Sequence, residues 1–247
     1  MEEKRPILIQ GAMQVEIAYL LEQIENKIKM ELHGYTFWKG NLNGHPVVIS
    51  KTEIGSIHAT TATTIGILEF KPSIIINQGI AGACKRDIHK FDVVFGQTCV
   101  NTNCYKTQSR MQGEGSNSLE WELITFTSDD EEEKEEILQA DRYLLSIAKE
   151  ASYCYSKGNV HYGILGSGDC WNKEIDRIDW ICEETNISCA DMESIGVYSV
   201  ANRLNVPVLG IRVMSDNELL QEEYDRETSI EAQRITLEIM KKCIEKM

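Results

Sequence analysis

Proline is scarce, with four in 247 residues, and neither a Pro/Ser-rich tract nor a shift in composition marks a linker. One domain spanning 1–247 is therefore expected. Apolar runs are short. None approaches the ~20 residues that cross a bilayer, and the initial Met-Glu-Glu-Lys-Arg-Pro leads into a brief Ile-Leu-Ile rather than a secretory segment. Positive charge is also in deficit: 25 Lys+Arg against 39 Asp+Glu give −14, with no basic stripe interleaved with aromatics, which speaks against a nucleic-acid partner. The eight cysteines (Cys84, Cys99, Cys104, Cys154, Cys170, Cys182, Cys189, Cys243) include no C-x-x-C and no histidine at ligand spacing. A disulfide framework and a metal site are accordingly not expected. Missing too are a G-x-S-x-G elbow, a G-x-G-x-x-G turn and a Gly-Lys-Ser/Thr ending, and no histidine adjoins a plausible nucleophile. The expectation is a soluble, cytoplasmic protein with reduced thiols, no cofactor and no membrane partner.

What is present is an α/β pattern. With 42% apolar residues the chain has ample material for a core, so disorder is excluded as its main state. Short apolar runs at 7–9, 47–49, 74–76, 93–95 and 208–211 are too brief for buried helices and predict strands. Between them Ile17, Leu20, Leu21 and Ile24, and later Ile195, Tyr198 and Leu204, recur at helical spacing. Ala232, Ile235, Ile239 and Cys243 predict a final amphipathic helix against one side of the sheet. The least core-like stretch is 101–136, which contains Met-Gln-Gly-Glu-Gly-Ser-Asn-Ser and then an acidic run; it reads as an exposed loop leading into a solvated helix start.

Three carboxylates fall at the predicted ends of strands, which is where open α/β sheets present ligand-binding groups. Glu16 follows the first strand through Gly11-Ala12-Met13; it suits a ligand, and equally the positive end of a helix. Glu193, in Ala-Asp-Met-Glu-Ser, has the same two readings. Asp216 closes the string Arg-Val-Met-Ser-Asp, where Ser215 and Glu218 also have the spacing of a capping box. Two glycine-containing segments, 79–83 (Gly-Ile-Ala-Gly-Ala) and 166–169 (Gly-Ser-Gly-Asp), read as turns able to bring backbone N–H groups to a ligand. Trp171 after the second is either a stacking platform or a packing anchor.

The order of these segments carries a resemblance. Gly-Ala-Met-x-x-Glu, Ile-Asn-x-Gly-x-Ala-Gly, Ser-Gly-Asp, Met-Glu, then Asn-Val-Pro followed by Arg-x-x-Ser-Asp is similar to the methylthioadenosine/S-adenosylhomocysteine nucleosidases of the purine nucleoside phosphorylase and uridine phosphorylase superfamily. The likeness runs from Ile7 to Asp216, with 101–136 unmatched. It implies a nucleoside phosphorylase-like fold, a single α/β domain with a twisted mixed sheet flanked by helices, usually a homodimer. It implies hydrolysis of the bond between purine and ribose in a small-molecule purine nucleoside. Asp216 is then the general acid toward the imidazole nitrogen of the leaving purine, and Glu16 orients or deprotonates the attacking water. Glu193 accepts from the ribose hydroxyls, Met192 packs on the sugar, and Gly82 lies beside ribose and water. Trp171 and Asn172 meet the base, Arg212 helps fix the catalytic region, and Met13, Ile54 and Ile80 complete the surroundings of the substrate. For Asp216 to hold a proton near neutral pH its pKa must rise, through burial or a donor to its other oxygen, for which Ser215 is nearest.

The superfamily uses either water or phosphate. In the phosphorylases an arginine precedes the glycine segment, where this chain has Asn77, and Glu16 would repel phosphate. Hydrolysis of 5′-modified adenosines is the leading expectation. The alternatives are a purine nucleoside phosphorylase and a nucleoside-binding protein without turnover, the second suggested by Ile80 standing where the nucleosidases carry a hydroxyl.

Overall fold

The computed structural model of the protein describes residues 4–124 and 138–247. In chain order the elements are β1 (Ile7–Gly11), α1 (Gln14–Gln23), β2 (Glu25–Leu32), β3 (Tyr35–Leu42), β4 (His45–Lys51), α2 (Ser56–Phe70), β5 (Ile74–Ala83) and β6 (Val93–Asn101). The short β7 (Tyr105–Lys106), β8 (Glu122–Leu123) and β9 (Leu138–Gln139) precede α3 (Arg142–Ala151) and β10 (Val160–Ser167). Then come α4 (Ile175–Thr185), β11 (Ile187–Asp191), α5 (Ser194–Arg203), β12 (Val208–Asp216) and α6 (Thr228–Lys246).

The main sheet runs β11-β10-β6-β12-β5-β1-β4-β3-β2, with β9 added beside β6. It is mixed: β1 lies parallel to β4 and β5, β12 parallel to β5, while β12–β6 and the β2-β3-β4 meander are antiparallel. β11 pairs both with β10 and, antiparallel, with Gly82 and Ala83 of β5, so this half of the sheet closes on itself. The central strands are covered on both faces, which is why Ile7, Leu8 and Ile9 are all fully buried and the runs there are continuously apolar instead of alternating. α6 packs over β5 and β12 with α1 and α3 beside it, whereas α2 packs on α5. Ala232, Ile235, Ile239 and Cys243 form the buried face of α6 as the periodicity predicts.

Several local expectations shift. Leu204 falls just beyond α5 and stays 44% exposed, while Tyr198 carries the helix's contact with the sheet. Residues 79–83 are not a turn: β5 continues through them, because β12 and β11 supply hydrogen-bonding neighbours on either side. Residues 166–167 end β10, and Asp169 binds the start of α2, accepting from the Ser56 N–H at 2.7 Å and the Ser56 hydroxyl at 2.6 Å. Of the region 101–136, the first part forms the β7–β8 pair and a 3₁₀ turn at Ser118–Glu120; the acidic run at 129–136 lies outside the described residues.

Tyr198 locks α5 to the sheet. Its hydroxyl donates to the Gly96 carbonyl oxygen at 2.9 Å and accepts the Gly210 N–H at 2.7 Å, at a point where β6 and β12 both carry glycine. Removing that hydroxyl leaves two buried backbone groups without a partner. Tyr198→Phe should cost about 1–3 kcal/mol of folding stability, read as a lowered urea midpoint at unchanged slope; an unaltered midpoint would refute this role.

Candidate active site

The site forms where the strands that begin under the apolar core run out. Glu16 occupies the first turn of α1, and its side chain folds back: Oε2 accepts the Ala12 and Met13 N–H groups, each at 2.9 Å, and Oε1 accepts the Ile80 N–H at 3.1 Å. Both readings of Glu16 therefore hold together, since the carboxylate caps its own helix and reaches across to β5. Gly79 makes this possible, because a Cβ there would lie 2.6 Å from Glu16 Oε1. Burial pushes the Glu16 carboxyl above its ordinary range, with the backbone hydrogen bonds from Met13 and Ile80 working against it.

Beneath the site sits a buried ion pair. Arg212 on β12 donates through Nε to Asp191 Oδ2 at 2.9 Å. Its Nη1 donates to the carbonyl oxygens of Asn77 at 3.1 Å and Ile211 at 2.9 Å. Its Nη2 donates to Asn77 Oδ1 at 2.5 Å and to the Ser194 hydroxyl at 2.8 Å. Those five bonds use all five guanidinium donors. Asp191, at the end of β11, also accepts from the hydroxyls of Ser167 (2.7 Å) and Ser194 (2.5 Å) and from the N–H groups of Glu193 (2.9 Å) and Ser194 (2.8 Å). Burial alone would raise the Asp191 carboxyl, but Arg212 and these hydrogen bonds outweigh it and hold the group below its ordinary value.

Two further carboxyls project from this frame. Glu193 stands immediately before α5 and accepts the Gly55 N–H at 2.8 Å; Gly55 has φ +103°, a conformation that favours glycine. Burial first, then the neighbouring charge of Asp191, push Glu193 up to about 7. Asp216 ends β12 after a register shift between Met214 and Asp216, the kind of bulge that re-aims a side chain, and faces Gly82. Burial raises its pKa. The Ser215 hydroxyl lies against Asp216 Oδ1 and 3.2 Å from the Ala81 carbonyl oxygen. A hydroxyl donating to the carboxylate opposes the rise, so burial, not Ser215, is what raises the Asp216 carboxyl. Ser215 and Glu218 form no capping box; Asn217 caps the following 3₁₀ turn by accepting the Leu219 N–H at 3.0 Å.

Glu16, Glu193 and Asp216 open into one cavity of about 350 Å³, together with Met13, Ile54, Ile80, Gly82, Trp171, Asn172, Met192 and Ser215. Glu16 and Asp216 meet β5 at Ile80 and Gly82, one strand repeat of roughly 7 Å apart. The exception is Arg212, which does not reach the cavity: every donor it has is engaged behind the wall, so it positions the site without touching a ligand. Trp171 is 61% exposed at the mouth and pairs with Tyr224, ring centroids 5.6 Å apart. The Asn172 side-chain oxygen accepts the Glu174 N–H at 3.0 Å. Sequence reasoning missed Asp191, Tyr224 and Arg177, all of which line the cavity. Asp191 had a signal, since an arginine inside an otherwise apolar strand requires a buried acid.

A family profile, the phosphorylase superfamily, matches residues 6–247. A 5′-methylthioadenosine/S-adenosylhomocysteine nucleosidase of Tolumonas auensis is 27% identical over 207 residues, covering 83% of this chain and 84% of that protein. Among solved structures, the nucleosidase of the same name from Neisseria meningitidis, in complex with methylthio-immucillin-A, superposes with a TM-score of 0.78 at 23% identity, covering 96% of this chain and 99% of that one. Futalosine hydrolase of Helicobacter pylori gives 0.76 at 22% identity, covering 98% of each. At these identities the structural likenesses establish the fold.

The raised carboxyl of Glu193 has a measurable consequence. Its ordinary value is 4.5 and its folded value about 7. Between them the folded protein keeps a proton the unfolded chain has released, so this contribution to stability is full below pH 4.5 and is lost as pH rises to about 7. Glu193→Gln should therefore gain thermal stability over the wild type at pH 8 but not at pH 4.5; a pH-independent difference would contradict the shift.

Proposed function

The chain belongs to the phosphorylase superfamily, and from that premise we propose that it hydrolyses the N-glycosidic bond of 5′-modified adenosines, releasing adenine and the ribose derivative. The observation that carries the reading is the convergence of Glu16, Glu193 and Asp216 on one cavity. Support comes from the Tolumonas auensis relative, which is named for methylthioadenosine and S-adenosylhomocysteine.

Each step falls to a group described above. Asp216, its pKa raised by burial, gives a proton to the imidazole nitrogen of the purine as the bond to C1′ breaks, so that a neutral base departs instead of an anion. Charge then develops on the ribose, which faces Glu193 and Glu16. Glu193 accepts from the ribose hydroxyls and Met192 lines the sugar's surroundings. Glu16, held by three backbone N–H groups, orients a water on the opposite side from Asp216 and takes its proton. The roles match those of inverting glycosidases, an acid on the leaving group and a base across the sugar. Ile80 in place of a hydroxyl does not disturb Glu16, because it is the Ile80 backbone that holds it.

Water is favoured over phosphate on charge. A phosphate nucleophile needs free cationic donors beside the sugar. Arg212 has none left, and the one basic side chain lining the cavity among the described residues, Arg177, is packed against the rings of Tyr105, Trp121 and Trp180. We also propose a homodimer as the working form, supported by Ile54, 53% exposed in the cavity lining, and Ile57, 75% exposed. A cytoplasmic setting is supported by eight cysteines that are all unpaired. Among the described residues no helix is long and apolar enough to cross a membrane.

Methylthioadenosine in phosphate-free buffer should yield adenine at a rate that added phosphate does not raise; release that appears only with phosphate would make the protein a phosphorylase. Asp216→Asn should lower that release by about 10²-fold or more while calorimetry still shows nucleoside binding. A nearly active variant would remove Asp216 from its role. In the wild type, activity should fall as pH rises through the elevated pKa of Asp216 and fall again in acid as Glu16 becomes protonated.

A further inference from the structure

Two cysteines meet behind one wall of the cavity, and the reaction above uses neither. Cys84 directly follows β5, its N–H donating to the Ser188 carbonyl oxygen at 3.0 Å, and it lines the cavity. Cys182 lies on α4, partly exposed and outside the cavity lining. Its Sγ is 2.7 Å from the Cys84 carbonyl oxygen, although the two residues are 98 apart in sequence. A buried cysteine ordinarily serves as a small apolar group. What sets this pair apart is that the thiols face each other and that cations stand beside them.

The hydrogen bond between the two thiols acts in opposite senses. It is the leading cause that pushes the Cys84 thiol well up and the Cys182 thiol down. Burial adds to the first shift and opposes the second, while Lys85 and Arg86 help lower Cys182 against the charge of Asp179. The same two cations fasten the end of β5 to α4. Lys85 Nζ donates to Asn186 Oδ1 at 2.8 Å, and Arg86 makes two bonds to the Asp179 carboxylate at 2.8 and 2.9 Å. Cys182 thus combines thiolate character with access, the two properties that select a cysteine for oxidation. Cys84 is the protonated thiol next to it.

We infer that Cys182 and Cys84 form a modification site for hydroperoxides, and that their oxidation to a disulfide slows the enzyme. The Cys182 thiolate attacks one peroxide oxygen, which breaks the O–O bond, leaves a sulfenic acid on Cys182 and releases hydroxide. The Cys84 sulfur then attacks the Cys182 sulfur, and the sulfenic hydroxyl departs with the Cys84 proton as water. Two thiols are oxidised and one peroxide is reduced. The new bond draws the sulfurs to about 2 Å. Cys84 Sγ now lies 3.8 Å from the carbonyl oxygen of Gly82, the residue that Asp216 faces, and α4 contributes Arg177, Ile178 and Ile181 to the cavity. Pulling the strand end onto the helix therefore shifts one wall against another close to the acid. In a reducing compartment such a link is transient, which makes the modification reversible. Its effect on turnover rests on the nucleosidase reading above; the chemistry of the thiols does not.

The test treats the full chain with hydrogen peroxide. Mass spectrometry of an unreduced digest should find Cys84 joined to Cys182, and kcat/KM for methylthioadenosine should fall about tenfold or more. Dithiothreitol should reverse both. Cys182→Ser, which alters a residue outside the cavity lining, should start with ordinary activity and keep it under peroxide; Cys182→Ala is the readout if the serine variant does not fold. Cys84→Ser should stop at the sulfenic acid, trapped by dimedone on Cys182. A link to Cys189 instead, a link that leaves activity unchanged, or a loss that persists in Cys182→Ser each overturns the inference and leaves the nucleosidase reading intact. If methylthioadenosine releases no adenine even before oxidation, the nucleosidase reading fails. The Cys84–Cys182 link together with weakened adenine binding by calorimetry then upholds the modification site, and the absence of either overturns it.

Discussion

The Arg212–Asp191 ion pair is the constraint on which the site depends. It joins β12 to β11 directly, reaches β5 through Asn77 and α5 through Ser194, and does so with every guanidinium donor engaged. A buried pair of this kind adds little stability when compared with apolar residues of the same size, but losing one partner typically costs about 3–5 kcal/mol because the other charge is stranded. What the pair supplies is registration: three strands and the start of a helix are fixed to one another by bonds whose angles leave little freedom.

The same pair bears on how the other acids titrate. Arg212 is already matched by Asp191, and at Glu16, Glu193 and Asp216 burial outweighs the pull of the nearby cations. Burial then favours their neutral forms. The differences among them follow from their donors. Glu16 has three backbone N–H groups and keeps the strongest support for its anion, as a base requires; Glu193 has one; Asp216 has only the hydroxyl next to it, as an acid requires. One fixed charge balance thus sorts three chemically similar side chains into different tasks.

The strands at 7–9, 47–49, 74–76, 93–95 and 208–211 and the final helix were legible because burial on both faces or along one stripe writes itself into the order of residues. The carboxylates were legible in position but not in role, since Glu16 is at once a helix-capping residue and a group held out to a ligand. Residues 79–83 look like a turn because glycine signals one locally; only the strands that pair on either side, distant in sequence, make them a strand. The resemblance gave Arg212 the task of fixing the catalytic region, but its partners on β5, β11 and α5, distant in sequence, were not visible. Arg177 gave no local sign, as its ring cage gathers from Tyr105, Trp121 and Trp180, two of them in the stretch that matched no motif.

Closure of the sheet through β11 has an effect remote from the cavity. With β11 hydrogen-bonded on both sides, the long sheet among the described residues presents an open margin at β2. That strand reads Glu-Asn-Lys-Ile-Lys-Met-Glu-Leu, and its Lys29 and Glu31 are paired with each other at 3.0 Å. A foreign strand adding to this margin would have to strip water from alternating charges, so self-assembly by edge pairing is discouraged there.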